Sequence, residues 1–406
     1  MEGNSIFVDL HIHSRFSRAC SKQLTIPNLV KWARIKGLDL LGTGDFTHEV
    51  WLSELKELKE EKGIFWYEDD EGKFPFVLSS EISLVYTDND KGRRVHLVYL
   101  APSLEAVKKI NEWLDSKGRR DYDGRPIFKI SCRDFVAKMQ EIDEKIEVIP
   151  AHIWTPWFGV FGSKGGYDSL DEAFGDKRER IHAIETGISS DPEMNWKIKD
   201  LQGISIVSFS DSHSFWPWRL GREATIFNSV ETYDDLLNQI RENSFVGTIE
   251  TDPAYGKYHF DGHSGCEFSS SPEETKKLDG KCPKCGKALI VGVDSRVRDL
   301  SVGAFDFLGK KKFYSVLPLH EIISFWKGIG VNSKGVWKVY NDLIDKFENE
   351  FNILLKVSKE EMLRDFDLEL VELIIKNRKG EIKVKPGYDG VYGKVFVDEV
   401  RDLKKE

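Results

Sequence analysis

The sequence predicts an α/β protein built on a parallel sheet or barrel, and two observations predict it. Short apolar runs of strand length alternate with amphipathic stretches from residue 1 to about 250, the pattern of strands joined by helices. Nearly every run also ends on a polar group, and His, Asp and Glu recur there rather than Ser, Thr or Asn. In βα barrels that end of the strands is the functional rim.

The runs come in a clear order. Ile6-Phe7-Val8 leads to His11, Leu38 to Thr43 leads to Asp45, and Phe76-Val77-Leu78 leads to Glu81. Val95 to Leu100 carries His96, and Ile146 to Pro150 leads to His152. Ile181 to Ile184 leads to Glu185, and Ile204 to Phe209 leads to Asp211. Stretches 26–36 and 104–114 have helical patterning. Three regions are expected: an α/β domain at 1–252, a cysteine-containing module at 253–296, and a mostly helical C-terminal region at 297–406. In the last, Val336, Tyr340, Ile344 and Phe347, and then Leu368, Val371 and Ile375, recur at helical spacing as core. The run Lys385 to Gly390 is a turn, followed by a strand-like stretch at 395–397.

The bulk numbers bound the function. The 406 residues carry 31% charged side chains and a net charge of −9. No stretch approaches the ~18 apolar residues that span a bilayer, so no membrane partner is expected. Met1 to His13 contains Glu2 and Asp9 and no basic segment before an apolar run, so no secretory signal is expected. Five cysteines (Cys20, Cys132, Cys266, Cys282, Cys285), three of them clustered, do not form a disulfide framework. A reduced, cytoplasmic setting follows. Residues 254–312 hold eleven Lys and Arg against eight Asp and Glu, a local positive balance on an acidic chain. Such a patch suits a nucleic-acid contact, and a solvated face suits it equally.

The chemistry is concentrated in Asp9-Leu10-His11-Ile12-His13 and Asp211-Ser212-His213. In an extended segment, residues two apart face the same way, so each pair can grip one ion. Asp45, His48, Glu81, His96 and His152 add ligand types beside other strands. Six of the ten histidines fall in these segments. Each alone reads as a core or surface histidine; the set reads as a metal cluster. Closely spaced ions bind phosphate, acidify water and stabilise a leaving oxygen. His-rich ligation suits Zn²⁺, Mn²⁺ or Fe²⁺ better than Mg²⁺ alone. A second constellation, His263-x2-Cys266 and Cys282-x2-Cys285, has the spacing of a closed structural Zn²⁺ site. His259 competes with His263 for the fourth position.

The order of these motifs resembles the PHP superfamily of phosphoesterases. The resemblance implies a distorted TIM-like (β/α)7 barrel and two or three divalent ions (Zn²⁺, Mn²⁺ or Mg²⁺). His11, His13, Glu81 and Asp211 would hold the first ion, and Glu81 would bridge to a second with His96 and His152. His48 and His213, with Asp45, would hold a third. Two residues separate Asp45 from His48 where the family places its acid and His side by side. His11, His13, Glu81, His152, Asp211 and His213 form the catalytic set, with Glu185 a candidate outer ligand.

Further phrases narrow the resemblance to DNA repair endonucleases within that superfamily. They are Gly44-Asp45-Phe46-Thr47-His48, the run Pro150 to Gly159, Phe161-Gly162-Ser163-Lys164, Leu220 to Ala224, Gly256-Lys257-Tyr258-His259, the cysteine segment, and Lys385 to Gly393. The implied reaction is hydrolysis of the phosphodiester 5′ to a deaminated base (uracil, hypoxanthine, xanthine) or an abasic site. The implied partner is double-stranded DNA. A sliding clamp is a further candidate partner, and a monomer is the default state. Trp154, Trp157 and Phe158 follow His152 and would stack on or wedge the duplex beside a flipped base, or else form a lid on the barrel. Lys164 and Arg222 would contact phosphates, unless they make ordinary surface pairs. The charged segment 118–124 has no assigned role. The alternatives are a PHP-type phosphatase for a small phosphate monoester and a non-catalytic scaffold. Salt-sensitive DNA retention separates the first from a nuclease, and the full ligand set argues against the second.

Overall fold

The structure is a computed structural model that describes residues 5–301 and 310–396. Val397, at the end of the expected last strand, lies outside the described residues. All seven expected apolar runs form strands: Ile6–Asp9, Leu40–Gly42, Gly72–Asp88, Lys91–Ala101, Glu147–Pro150, Ala183–Glu185 and Ser205–Val207. Amphipathic helices Ile26–Lys36 and Leu104–Asp115 lie where their periodicity places them. Ser103 caps the second by accepting from Ala106 N at 3.2 Å.

The main sheet has eleven strands and is mixed. Ile6–Asp9, Leu40–Gly42 and Gly72–Asp88 run parallel to their neighbours in that order. Lys91–Ala101 runs antiparallel to both Gly72–Asp88 and Glu147–Pro150, and Ala224–Phe227 runs antiparallel to Ile6–Asp9. The expected all-parallel pattern therefore holds only in part. Ala183–Glu185 and Ser205–Val207 pair only with each other among the described residues. Separate hydrogen bonds tie this pair in. Ile153 N donates to Glu185 O, and His13 N donates to Ser212 O.

One long hairpin corrects the sequence reading at Glu81. The strand does not end there; it continues to Asp88 and pairs along its length with Lys91–Ala101. The two-residue turn Asn89-Asp90 has both residues at positive φ, 48° and 59°. That is the twist a tight hairpin needs, and Asn and Asp tolerate it. Glu81 and His96 therefore project from the middle of strands.

The C-terminal region is mostly helical, with Leu319–Lys327, Lys334–Phe347, Glu350–Leu355 and Leu368–Arg378. Val336, Tyr340 and Phe347 are buried as expected, while Leu368 is exposed and Leu370, Val371, Leu373 and Ile374 make the core face. Strand Lys312–Ser315 extends the main sheet, parallel to Gly247–Glu250. Phe351 packs on Phe7 with ring centroids 4.7 Å apart, so the two ends of the chain share one core. Among the described residues, no helix is long and apolar enough to cross a membrane.

Candidate metal centre

The loops after Ile6–Asp9, Glu147–Pro150 and Ser205–Val207 meet the middle of the long hairpin. There the structure brings His11, His13, Glu81 and Asp211 together, with one ligand atom of each within 4.8 Å of the others. His13 Nε2 lies 3.1 Å from Glu81 Oε2 and 3.2 Å from Asp211 Oδ1. His11 Nε2 lies 3.4 and 3.5 Å from the same two oxygens. A second set, Glu81, His96 and His152, adjoins it. Glu81 Oε1 is 2.7 Å from His96 Nδ1 and 3.2 Å from His152 Nε2. One carboxylate thus presents one oxygen to each set.

The residues fit divalent cations. His11 Nε2, His13 Nε2 and Asp211 Oδ1 are buried with no hydrogen-bond partner, a costly state that a shared cation would relieve. Burial would pull the His11 imidazole down, yet Glu185, Glu81 and Asp211 hold it well above its ordinary range. Burial acts the same way on His13, and Asp45 leads the groups that outweigh it. For Glu81, burial is opposed by His96, Arg125 and His11, which keep the carboxyl well below its usual range. Negative charge is in excess and buried, the condition that attracts a metal. At His96 burial wins over Glu81 and brings the imidazole to about 4, the neutral form that ligates.

Supporting contacts aim the ligands. His11 Nδ1 donates to Glu185 Oε1 at 2.8 Å, and His152 N donates to Glu185 Oε2 at 2.7 Å. His13 Nδ1 donates to Asp45 Oδ1 at 2.9 Å. The two imidazole bonds turn the Nε2 lone pairs of His11 and His13 toward the site. Asp211, His152 and Asp45 all sit at positive φ, between 30° and 47°, strained backbone that the surrounding fold must hold. Gly187 is required beside His152: its φ is +60°, and a Cβ there would stand 2.5 Å from the His152 Cβ.

Some expected ligands are placed otherwise. Both Asp45 oxygens are occupied, Oδ1 by His13 and Oδ2 by Ser14 N, Ser14 Oγ and Ser17 Oγ at 2.6–2.9 Å. Asp45 therefore orients His13. Glu185 likewise orients His11. His48 stacks on Phe16, ring centroids 4.1 Å apart, and joins neither donor set among the described residues. His213 lies beside His13, centroids 4.5 Å apart, and donates from Nδ1 to Asp211 O. Among the described residues, Asp45, His48 and His213 do not converge as a third group of ligand atoms. Conversely, sequence reasoning missed Arg125, whose Nη1 donates to Glu81 Oε2 at 2.9 Å. It follows the unassigned segment 118–124, and nothing local marks it.

The cluster opens on a cleft of about 450 Å³ lined by Arg125, Trp157, Phe158, His213, Arg222 and Tyr258 among others. Trp154 is not part of it: the side chain is buried, and its Nε1 donates to Asn195 Oδ1 at 2.8 Å. Packing against Phe161 makes it core rather than a base-stacking group. Trp157 is 37% exposed at the rim. Phe158 packs against the His96 ring at 4.4 Å, and its carbonyl accepts from His96 N. Lys164 lines a separate polar cavity of about 510 Å³ with Lys91, Arg93 and Arg296. In the cysteine segment, His263, Cys266, Cys282 and Cys285 converge, whereas His259 stacks on Phe260 and stays outside the group.

Comparison with known proteins identifies the family. A family model described as the MJ0043 C-terminal domain matches residues 318–381. The protein MJ0043 of Methanocaldococcus jannaschii is 32% identical over 292 residues, 68% of this chain and 35% of the relative. The chain thus spans about a third of that relative's length. YqxK of Bacillus subtilis is 27% identical over 409 residues, covering 96% of this chain and 99% of its own. The crystal structure of the lesion-specific endonuclease PfuEndoQ from Pyrococcus furiosus aligns with a TM-score of 0.86 at 30% identity, over 99% of both chains. An endonuclease Q bound to a 27-mer duplex with an abasic lesion at its active site aligns with a TM-score of 0.87 at 31% identity, over 98% of both. With that identity sustained from end to end, the chain belongs to the endonuclease Q family.

Proposed function

We propose that this protein is a DNA repair endonuclease that hydrolyses the phosphodiester 5′ to a deaminated base (uracil, hypoxanthine or xanthine) or an abasic site in duplex DNA. The observation that carries the reading is Glu81, shared between two buried donor sets whose His96, His152 and Asp211 line an open cleft. The end-to-end match to a structure holding a lesion duplex supports DNA as the substrate. We read the strand arrangement as a distorted PHP-type barrel and the His263–Cys285 group as a structural Zn²⁺ site.

His11, His13, Glu81 and Asp211 would hold one divalent ion, and Glu81, His96 and His152 a second. Such ions, when bound, supply Lewis-acid binding of the phosphate and acidification of water. The chain's own residues do the rest. Glu185 and Asp45 keep the imidazoles aimed. Arg125 offers positive charge to the reacting phosphoryl oxygens, and Arg222 to the strand beside them. Trp157, exposed at the rim, is the remaining stacking group of its loop.

The test is a nicking assay on end-labelled duplexes with one uracil, one hypoxanthine, one abasic site or no lesion, in Mg²⁺, Mn²⁺ or Zn²⁺. The expected result is a metal-dependent cut 5′ of the lesion, lost in an Asp211→Asn, His213→Ala double variant. Hydrolysis of small phosphate monoesters with every duplex left intact would overturn the nuclease reading in favour of a phosphatase.

A further inference from the structure

Three cations gather round one tyrosine beside the catalytic cleft. Lys257 Nζ lies 4.7 Å and the Arg219 guanidinium 5.7 Å from the Tyr392 ring centroid. Arg222 is the strongest of the charges acting on the Tyr392 phenol. The four side chains come from three distant segments. Arg219 and Arg222 follow the Asp211-Ser212-His213 motif, Lys257 precedes the cysteine segment, and Tyr392 belongs to the C-terminal turn. Backbone bonds pin that turn in place: Gly387 N donates to Ala254 O, Gly390 N to Lys257 O and Gly393 N to Tyr255 O.

No carboxylate is paired with this grouping: none of the three cations forms an ion pair with one among the described residues. Arg222 Nε is buried with no partner. Against its burial, Glu223, Asp211 and Glu321 all act on Arg222 and raise its guanidinium, but burial pushes the Glu223 carboxyl up to about 8 and the Glu321 carboxyl up as well. Burial alone would raise the Tyr392 phenol, yet Arg222, Arg219 and Lys257 together hold it below its ordinary range. Like charges held together without a paired carboxylate favour an anion between them. Two planar guanidinium groups with an ammonium and a phenol match the oxygens of a phosphodiester.

We propose that Arg219, Arg222, Lys257 and Tyr392 form a subsite for a backbone phosphate of the bound DNA strand, one that is not the phosphate being cut. Its place follows from the cleft, because Arg222 and Tyr258, the neighbour of Lys257, line it together with Asp211 and His213. The inference rests on the nuclease reading and goes beyond it, by naming how the strand is held next to the metal centre.

The experiment is fluorescence anisotropy of the full chain, with its metals, on a duplex containing an abasic-site analogue, across a range of salt concentrations. In an Arg219→Ala, Lys257→Ala variant the slope of log K against log salt should become shallower by about 1, the loss of one neutralised phosphate. Lys257→Arg should keep the wild-type slope. A neutral methylphosphonate walked along the strand near the lesion should weaken wild-type binding at one non-scissile position and have no such effect in the double variant. Thermal melting identifies any loss due to misfolding. Wild-type binding with the slope and the methylphosphonate pattern unchanged in the variant overturns the subsite alone. Failure of the wild type to retain any duplex overturns the subsite and the nuclease reading together.

Discussion

Glu185 touches two ligands of the cluster at once, His11 through its imidazole and His152 through its backbone N–H. It fixes the tautomer of one and the placement of the other. Removing such a supporting carboxylate typically costs 10–100-fold in metal affinity. Glu185→Ala is therefore expected to shift the Mn²⁺ dependence of activity upward by about that factor, with most of the rate recovered in excess metal. An unchanged metal titration would count against the orienting role. Asp45 works on His13 in the same way, so an acid that the motif offers as a ligand acts one bond further out.

At the scale of elements, helix Leu319–Lys327 meets the loop that follows the Asp211-Ser212-His213 motif. His320 on that helix is fully buried. Its ring lies 4.9 Å from Trp218, 4.1 Å from Trp337 and 4.1 Å from Tyr340, and neither nitrogen has a partner. Burial, reinforced by Lys36, pulls its imidazole down to about 3. The unfolded chain takes up this proton near ~6.5, while the folded chain stays neutral far lower. His320 therefore withdraws stability as pH falls below that range. Between pH 7.5 and pH 5 the loss is about 2 kcal/mol. Denaturant unfolding of the wild type and His320→Phe at both pH values should show the variant losing less on acidification by about that amount. Equal losses would refute the assignment.

Across the whole molecule, Lys36 and Glu350 join the α/β part to the C-terminal helices through a buried ion pair of 2.7 Å. Lys36 Nζ also donates to Pro217 O, and Glu350 accepts from Leu319 N and Tyr340 Oη. With every oxygen engaged, removal of the lysine alone strands a buried carboxylate. Lys36→Met is expected to cost about 3–5 kcal/mol in denaturant unfolding, and Lys36→Met with Glu350→Leu to regain most of it. Equal destabilisation in the single and double variants would show that packing, rather than charge, dominates the junction. The boundary expected near residue 297 is crossed by this pair and by strand Lys312–Ser315, so the C-terminal helices dock as part of a continuous core.

By itself the sequence determined the strand runs, the His-x-His pair, Asp211 of the Asp-x-His motif, and the cysteine group. These signals are local: alternation along a strand and ligand chemistry at short spacing need no distant partner. Tertiary structure alone decided which acids join the donor sets and which orient the imidazoles. It placed Glu81 in mid-strand between two donor sets, set Arg125 against it, buried Trp154, and selected His263 over His259. His11 and Glu185 are 174 residues apart and Lys36 and Glu350 are 314 apart. Contacts of that range depend on how strands and helices pack, which the residues flanking each partner do not encode.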